Sequence, residues 1–206
     1  MAKEGIPFVA IPLAAGVILL LLHIRIFSPL FAAVLFLAAL GFAFFFRDPR
    51  RAIHAGASDI VSPVDGTVMA VSDEGEVRRI TVFLSIFNVH VIRLPYAGTL
   101  KKIEYFKGQF LPAYRDKASE LNERVTLSLA SGPLAYSLRL IAGIAARRIR
   151  LWVKEGAPLQ TGQKIGIILF GSRAELLLPK SVRVLVSPGD TLTGGITFVG
   201  NISHPD

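Results

Sequence analysis

Three short stretches of this chain carry side chains able to do chemistry. Of the four histidines in 206 residues, His23 closes an apolar run, His54 lies in a linker and His204 is two residues from the end. His90 differs, because it interrupts the strand-like run Phe83-Leu-Ser-Ile-Phe-Asn-Val-His-Val-Ile-Arg-Leu-Pro95, where a polar side chain needs a partner or a task. A core histidine with satisfied hydrogen bonds meets that need as well as a catalytic one does. Ser62-Pro-Val-Asp-Gly66 is a turn with Asp65 at its apex, and turn chemistry alone accounts for it. Phe170-Gly-Ser-Arg173 ends an apolar strand with a glycine followed by a hydroxyl. Glycine lacks a Cβ, so the Gly171 carbonyl is open to close approach, and Ser172 brings a nucleophile to that same carbonyl. No G-x-S-x-G elbow surrounds the serine, which argues against an α/β-hydrolase. The chain has no cysteine, which removes disulfides, thiolate nucleophiles, Cys-ligated zinc and iron–sulfur clusters. No metal is expected at the site.

The elements that must position these residues are mostly strands. From Ile60 onward the chain breaks into β-branched runs punctuated by Gly, Pro and Asp: Gly66–Val71, Arg79–Leu84, Val125–Leu129, Lys164–Phe170 and Val182–Val186. Only Pro112–Arg124 and the stretch around Ile141–Arg148 offer a short helix each. The expected fold is therefore a mainly β (α+β) domain over residues 47–206, barrel- or sandwich-like, and its 160 residues are enough for one good core.

Before it comes a different solvent preference. The chain is 52% hydrophobic with a mean hydropathy of +0.54, and the excess lies at the N-terminus. Gly5–Ile24 and Ile26–Phe46 carry no charged residue and only Arg25 separates them. A bilayer core needs about 20 apolar residues per helix, so residues 1–46 read as a transmembrane helical hairpin turning at Ser28-Pro29. A signal peptide is disfavoured, because the second run would act as a stop-transfer and no small-x-small site precedes a polar mature start. Lys3 before the first span and Arg47, Arg50 and Arg51 after the second place both ends, and the domain, on the cytoplasmic face of the cell membrane. Setting aside Lys3, Glu4 and Arg25 leaves 21 basic and 14 acidic residues in 47–206, a net +7. That balance suits an anionic leaflet, toward which Arg147, Arg148 and Arg150 would contribute, although a solvated basic face accounts for them equally. No basic-plus-aromatic pattern of a nucleic-acid module accompanies the charge, so no nucleic-acid partner is expected.

In their order along the chain these stretches resemble a known family. Phe46-Arg-Asp-Pro-Arg50, Ser62-Pro-Val-Asp-Gly66, and Phe83-Leu-Ser followed by Asn88-Val-His90, Pro95 and Gly98 are similar to the short-form phosphatidylserine decarboxylases of archaea and bacteria. Gly108-Gln-Phe-Leu111, Ala113–Glu120, Asn122-Glu-Arg124, Ile141-Ala-Gly143, Ala146–Ile149, Gly162–Gly166, Phe170-Gly-Ser-Arg173, Gly189-Asp190 and Gly194-Gly195 continue the resemblance to about residue 200.

The resemblance implies a proenzyme that cuts itself between Gly171 and Ser172 into 1–171 and 172–206, the two products staying together as a heterodimer that can assemble into a higher oligomer. Ser172 would become a covalent pyruvoyl cofactor that forms a Schiff base with the amine of the substrate, phosphatidylserine or an archaeal ether analogue. The products would be phosphatidylethanolamine and CO2. Decarboxylating an amino acid needs an electron sink, which a ketone supplies without pyridoxal phosphate. The resemblance makes His90 the base for the serine and Asp65 its orienting carboxylate. It also exposes a departure: longer members carry a second histidine two residues before the proline, where this chain has Arg93, which cannot be a neutral base near pH 7. Either His90 serves both maturation and later protonation, or another group shares the work. A competing reading is a membrane-tethered lipoyl/biotinyl-like carrier, suggested by the phrases Val153–Gly162 and Val186–Gly194 and by Asp116-Lys-Ala118 with Lys117 as the modified residue.

Overall fold

A computed structural model describes residues 1–22, 28–109, 121–132, 134–143, 149–169 and 172–202. The chain forms two compact units, Met1–Arg50 and Arg51–Asp206.

In the first unit a single 3-10 turn, Lys3–Gly5, leads into α1 (Ile6–Leu21), and α2 spans Ser28–Phe45. Pro7 is tolerated in the first turn of α1, where a backbone N–H has no helical partner. The two helices pack through a small residue: a Cβ on Gly16 would come within 2.8 Å of the Phe36 ring. Phe8 stacks on Phe46 at 5.3 Å and meets Phe42 at 5.5 Å. Ile11, Leu21, Leu30 and Leu37 remain exposed, an outer surface suited to lipid rather than water. The segment Lys3–Leu21, 19 residues, is long and apolar enough to cross a membrane, while Pro29–Phe45 is apolar but shorter. The expected turn around Arg25 lies outside the described residues.

The second unit contains β1 (Asp59–Val61), β2 (Gly66–Glu74), β3 (Val77–Leu84), β4 (Val91–Arg93), β5 (Gly98–Phe106), β6 (Arg124–Ser131), β7 (Leu134–Ala142) and β8 (Ile149–Leu151). It continues with β9 (Pro158–Leu159), β10 (Lys164–Ile168), β11 (Ser172–Pro179), β12 (Val182–Val184), β13 (Thr191–Leu192) and β14 (Phe198–Ile202). Eight strands in the order β13-β2-β3-β11-β7-β6-β5-β9 form an antiparallel sheet curled into a half-barrel. Two three-stranded sheets, β1-β14-β12 and β4-β10-β8, complete the unit. Alternation builds the large sheet's inner face: Val125, Leu127 and Leu129 of β6, Leu138 and Leu140 of β7, Ala174, Leu176 and Leu178 of β11, and Ile80, Val82 and Leu84 of β3 all enter one core.

β11 is the centre of this arrangement. All eight of its residues pair with β3, from Ser172↔Leu84 to Pro179↔Val77, and its first six pair with β7. On the opposite face the cross-strand partners Glu175 and Arg139 form an ion pair at 3.0 Å, with Glu175 buried. Tyr136 of β7 donates its hydroxyl to the Tyr96 carbonyl, tying β7 to the segment between β4 and β5. Burial pushes that phenol well above its ordinary range, so it remains a donor.

The mainly β expectation holds, and the named runs fall in β2, β3, β6, β10 and β12, although Phe170 lies outside the described residues. The helix expected around Ile141 is corrected: Ile141 and Ala142 end β7, where period-two burial of Leu138, Leu140 and Ala142 prevails. Residues 144–148 of that stretch are not described. Of the helix expected over Pro112–Arg124, residues 112–120 lie outside the described residues, and Arg124 opens β6.

Gly66 is the tightest backbone position next to Asp65. Its φ is +157° and an added Cβ would lie 2.2 Å from the Phe83 carbonyl oxygen, a backbone atom that cannot swing away. Gly66→Ala should destabilise the unit by about 2–4 kcal/mol, read as a lower thermal midpoint in detergent. An unchanged midpoint would show that β2 and β3 can separate at this row.

Candidate active site

Ser172 is the first residue of β11 and completely buried. Its cross-strand neighbours in the same row are Leu84 of β3 and Ala142 of β7. Directly paired residues share a face of the sheet, so the hydroxyl lies in an apolar row, and Oγ has no hydrogen-bond partner among the described residues. Leaving a buried hydroxyl unsatisfied costs about 1–3 kcal/mol.

His90 is brought to the same end of the sheet by two short connections. Leu84, paired with Ser172, is followed by five residues and then His90; Ile168, whose amide donates to the His90 carbonyl at 3.2 Å, is followed by three residues and then Ser172. The pairing of β4 with β10 (Val91↔Ile167) fixes that second approach. The turn before His90 is held by Asn88: its Oδ1 accepts from the Ser85 amide at 2.8 Å and the Ser85 hydroxyl at 2.7 Å, and its own amide donates to the Ser85 carbonyl at 3.0 Å. The Asn88 carbonyl oxygen lies 2.9 Å from Nδ1 of His90. A carbonyl only accepts, so Nδ1 carries the proton and the lone pair of the neutral ring is on Nε2. The buried imidazole is thereby set in the tautomer a general base requires.

Asp65 has other partners. Its two carboxylate oxygens accept from Arg51 Nη1 and Nη2 at 2.6 and 2.8 Å, and Oδ1 also accepts the Gly194 amide at 2.8 Å. Arg51 Nη1 donates as well to the Gly194 carbonyl. This bidentate pair is largely buried, with side chains 9% and 14% exposed, and a fork-on-carboxylate geometry is the form in which such pairs are strongest. Gly194 has room for no side chain, since an added Cβ would come within 3.0 Å of the Val64 backbone. The orienting bond to His90 is thus supplied by the Asn88 carbonyl, while Asp65 clamps Arg51 and the loop at Gly194. Arg93, at the place of departure, is buried and donates from Nη1 to the Gly162 carbonyl at 3.1 Å. Gly171, Lys117, Arg147 and Arg148 lie outside the described residues, and Arg150 is exposed in β8.

Comparison with known proteins fits the order of these features along the chain. The family model described as phosphatidylserine decarboxylase matches residues 38–200. The chain belongs to the phosphatidylserine decarboxylase family. It is 42% identical over 172 residues to the phosphatidylserine decarboxylase proenzyme of Solibacter usitatus, covering 84% of each chain. With the proenzyme of Carboxydothermus hydrogenoformans it shares 43% over 177 residues, 82% of this chain and 83% of that one. With the proenzyme of Burkholderia pseudomallei it shares 39% over 214 aligned positions, 98% of this chain and 95% of the relative. Membership in the phosphatidylserine decarboxylase family displaces the carrier reading, whose suggestive phrases Val153–Gly162 and Val186–Gly194 fall inside the matched region.

Within this decarboxylase-family chain, sequence reasoning singled out Ser172, His90 and Asp65 but passed over the residues that hold two of them. Arg51 was read only as membrane flank, because its partner is 14 positions away across a linker of no regular period. Ser85 and Asn88 carried a usable signal, the Ser-x-x-Asn spacing of a side-chain-closed turn. Removing one member of a buried ion pair strands the other. We therefore expect Arg51→Met to lower stability by about 3 kcal/mol and Asp65→Asn to lower it by less, because the amide oxygen still accepts from Arg51 and Gly194. Thermal midpoints of the full chain check the ranking. An Asp65→Asn protein of parental stability that fails only in chemistry would instead point to a direct role for that carboxylate.

Proposed function

We propose that this chain is a self-processing, pyruvoyl-dependent phosphatidylserine decarboxylase anchored in a membrane, with the bond between Gly171 and Ser172 as its processing site. The observation that carries the reading is the fully buried Ser172 hydroxyl, in an apolar row at the end of the sheet to which a histidine with a fixed tautomer is also brought.

In this reading His90 Nε2 takes the Ser172 proton as Oγ attacks the Gly171 carbonyl. The amide nitrogen leaves as the Ser172 amine, and Gly171 is now an ester of Oγ. Loss of the Ser172 α-proton expels the Gly171 carboxylate and leaves a dehydroalanine, which water hydrolyses to a pyruvoyl group and ammonia. The site suits that group: its position is bounded by Leu84 and Ala142, whose side chains compete with it for no hydrogen bond. A pyruvoyl ketone would supply the electron sink for the pair left on the substrate carbon as CO2 departs. To His90 we assign the return of a proton to the substrate carbon as well as the maturation step. Arg93 stays protonated on the Gly162 carbonyl and takes no base role.

Cleavage there would leave β11, β12, β13 and β14 on a chain of 35 residues. Its retention needs no covalent link, because β11 is paired on both edges and Leu176, Leu178, Val182, Leu192 and Val199 are buried. At about 2 kcal/mol for each such side chain the apolar contribution alone is on the order of 10 kcal/mol. The apolar surfaces of α1 and α2 support anchoring by a hairpin with both ends and the β unit on the cytoplasmic side, the side that Arg47 and Arg50 favour for the end of the second helix.

Purified Ser172→Ala protein should remain one chain and release no CO2 from phosphatidylserine, and His90→Ala should remain mostly uncleaved. Asn88→Ala, which opens the turn, should slow cleavage about tenfold or more, whereas Asn88→Asp keeps the acceptor for Ser85 and should slow it less. Gel resolution of the two chains over time and radiolabelled CO2 capture make these measurements. Carbon dioxide release by Ser172→Ala would remove the basis of the mechanism.

A further inference from the structure

The turn that sets His90 also carries the most exposed large apolar side chain described in residues 51–206. Phe87 is 69% exposed and its neighbour Ile86 56%. Tyr105 and Phe106 at the end of β5 are exposed as well, but only Ile86 and Phe87 stand beside His90, and two consecutive apolar residues at a loop tip cost solubility without adding to the core. The tip is also stiff: the Ser85 amide and hydroxyl bind Asn88 Oδ1, and the Phe87 amide donates to Ser85 Oγ at 3.3 Å. A rigid tip holds its side chains out at no ordering cost on binding. Three residues beyond Phe87 stands His90, and one residue before Ser85 stands Leu84, the partner of Ser172.

We propose that Ile86 and Phe87 form a wedge that dips into the lipid surface and seats the turn before His90 on the bilayer. The proposal rests on the reading of the substrate as a membrane phospholipid. Lipid is favoured over a second protein chain by what else the chain carries: an apolar helix of 19 residues able to cross a membrane, and a net charge of +7 on residues 47–206 suited to an anionic leaflet. An interfacial side chain of this kind buries itself about 5–10 Å deep, at the boundary of headgroups and acyl chains. A phospholipid whose carboxylate lies in the headgroup layer would then meet the site without leaving the leaflet. The wedge acts on access to substrate and takes no part in bond making.

The test uses the full-length protein in phosphatidylcholine vesicles. Ile86→Ser/Phe87→Ser should mature normally and decarboxylate a soluble short-chain phosphatidylserine at the parental rate, while its rate on long-chain phosphatidylserine in the vesicle falls about tenfold. Separately, Phe87→Trp in a Trp152→Phe background should lose fluorescence to brominated acyl chains and be shielded from acrylamide. Equal loss on both substrates, no loss on the vesicular one, or an indole quenched by acrylamide as in free solution would each overturn the wedge. So would a change in oligomeric state of the double variant, which would assign the tip to a second copy of the chain. If the parent protein decarboxylates neither substrate, the lipid-substrate reading fails, while the quenching result still decides whether the tip enters lipid.

Discussion

A hydroxyl placed between Leu84 and Ala142, on a strand paired along both edges, is the constraint on which the rest of the β unit turns. Strand pairing gives it one position, and among the described residues its oxygen has no hydrogen-bond partner. In water, or beside another polar side chain, the same serine would be solvated and its oxygen held in some other direction. The cost of burial, about 1–3 kcal/mol, is small against what the strand contributes through Leu176, Leu178 and its doubled ladder. Stability is therefore concentrated in the same strand whose first residue carries the strain on the hydrogen-bond inventory.

Two backbone carbonyls or amides do work that side-chain pairing usually does. The Asn88 carbonyl fixes the protonation of Nδ1 on His90, and the Gly194 amide joins Arg51 in saturating Asp65. Both groups are fixed by folding, before any substrate arrives, and neither titrates. A carboxylate in place of the Asn88 carbonyl would hold the imidazole more strongly and raise its basicity. The neutral carbonyl fixes the tautomer without placing a charge beside the ring.

Much of this was legible in the sequence where chemistry and periodicity coincide. The turn at Asp65, the interrupted run at His90 and the glycine–serine pair at 171–172 are visible because a polar residue breaks an apolar pattern. Strand β6, with Val125, Leu127 and Leu129 alternating inward, follows the same logic. What stayed hidden depends on separation along the chain. Arg51 meets Asp65 and Gly194 across 14 and 143 positions, and nothing in local pattern announces such a meeting. β5 was missed because its outer half reads Lys101-Lys102 and Glu104 and is exposed, with Leu100 as its one fully buried anchor. At Ile141 a run of apolar residues was compatible with helix or strand, and the neighbouring β11 ladder decided it.

The central claim, that Ser172 is consumed to make the catalytic group, is tested most directly by the masses of the two chains in the mature protein. Elimination followed by hydrolysis predicts a chain of 171 residues ending in a free carboxylate and a chain of 35 residues lighter by one ammonia than one that begins with serine. Together they should equal the intact protein plus one water less one ammonia. A small chain with the full mass of an N-terminal serine, in a preparation that releases CO2 from phosphatidylserine, would contradict the account.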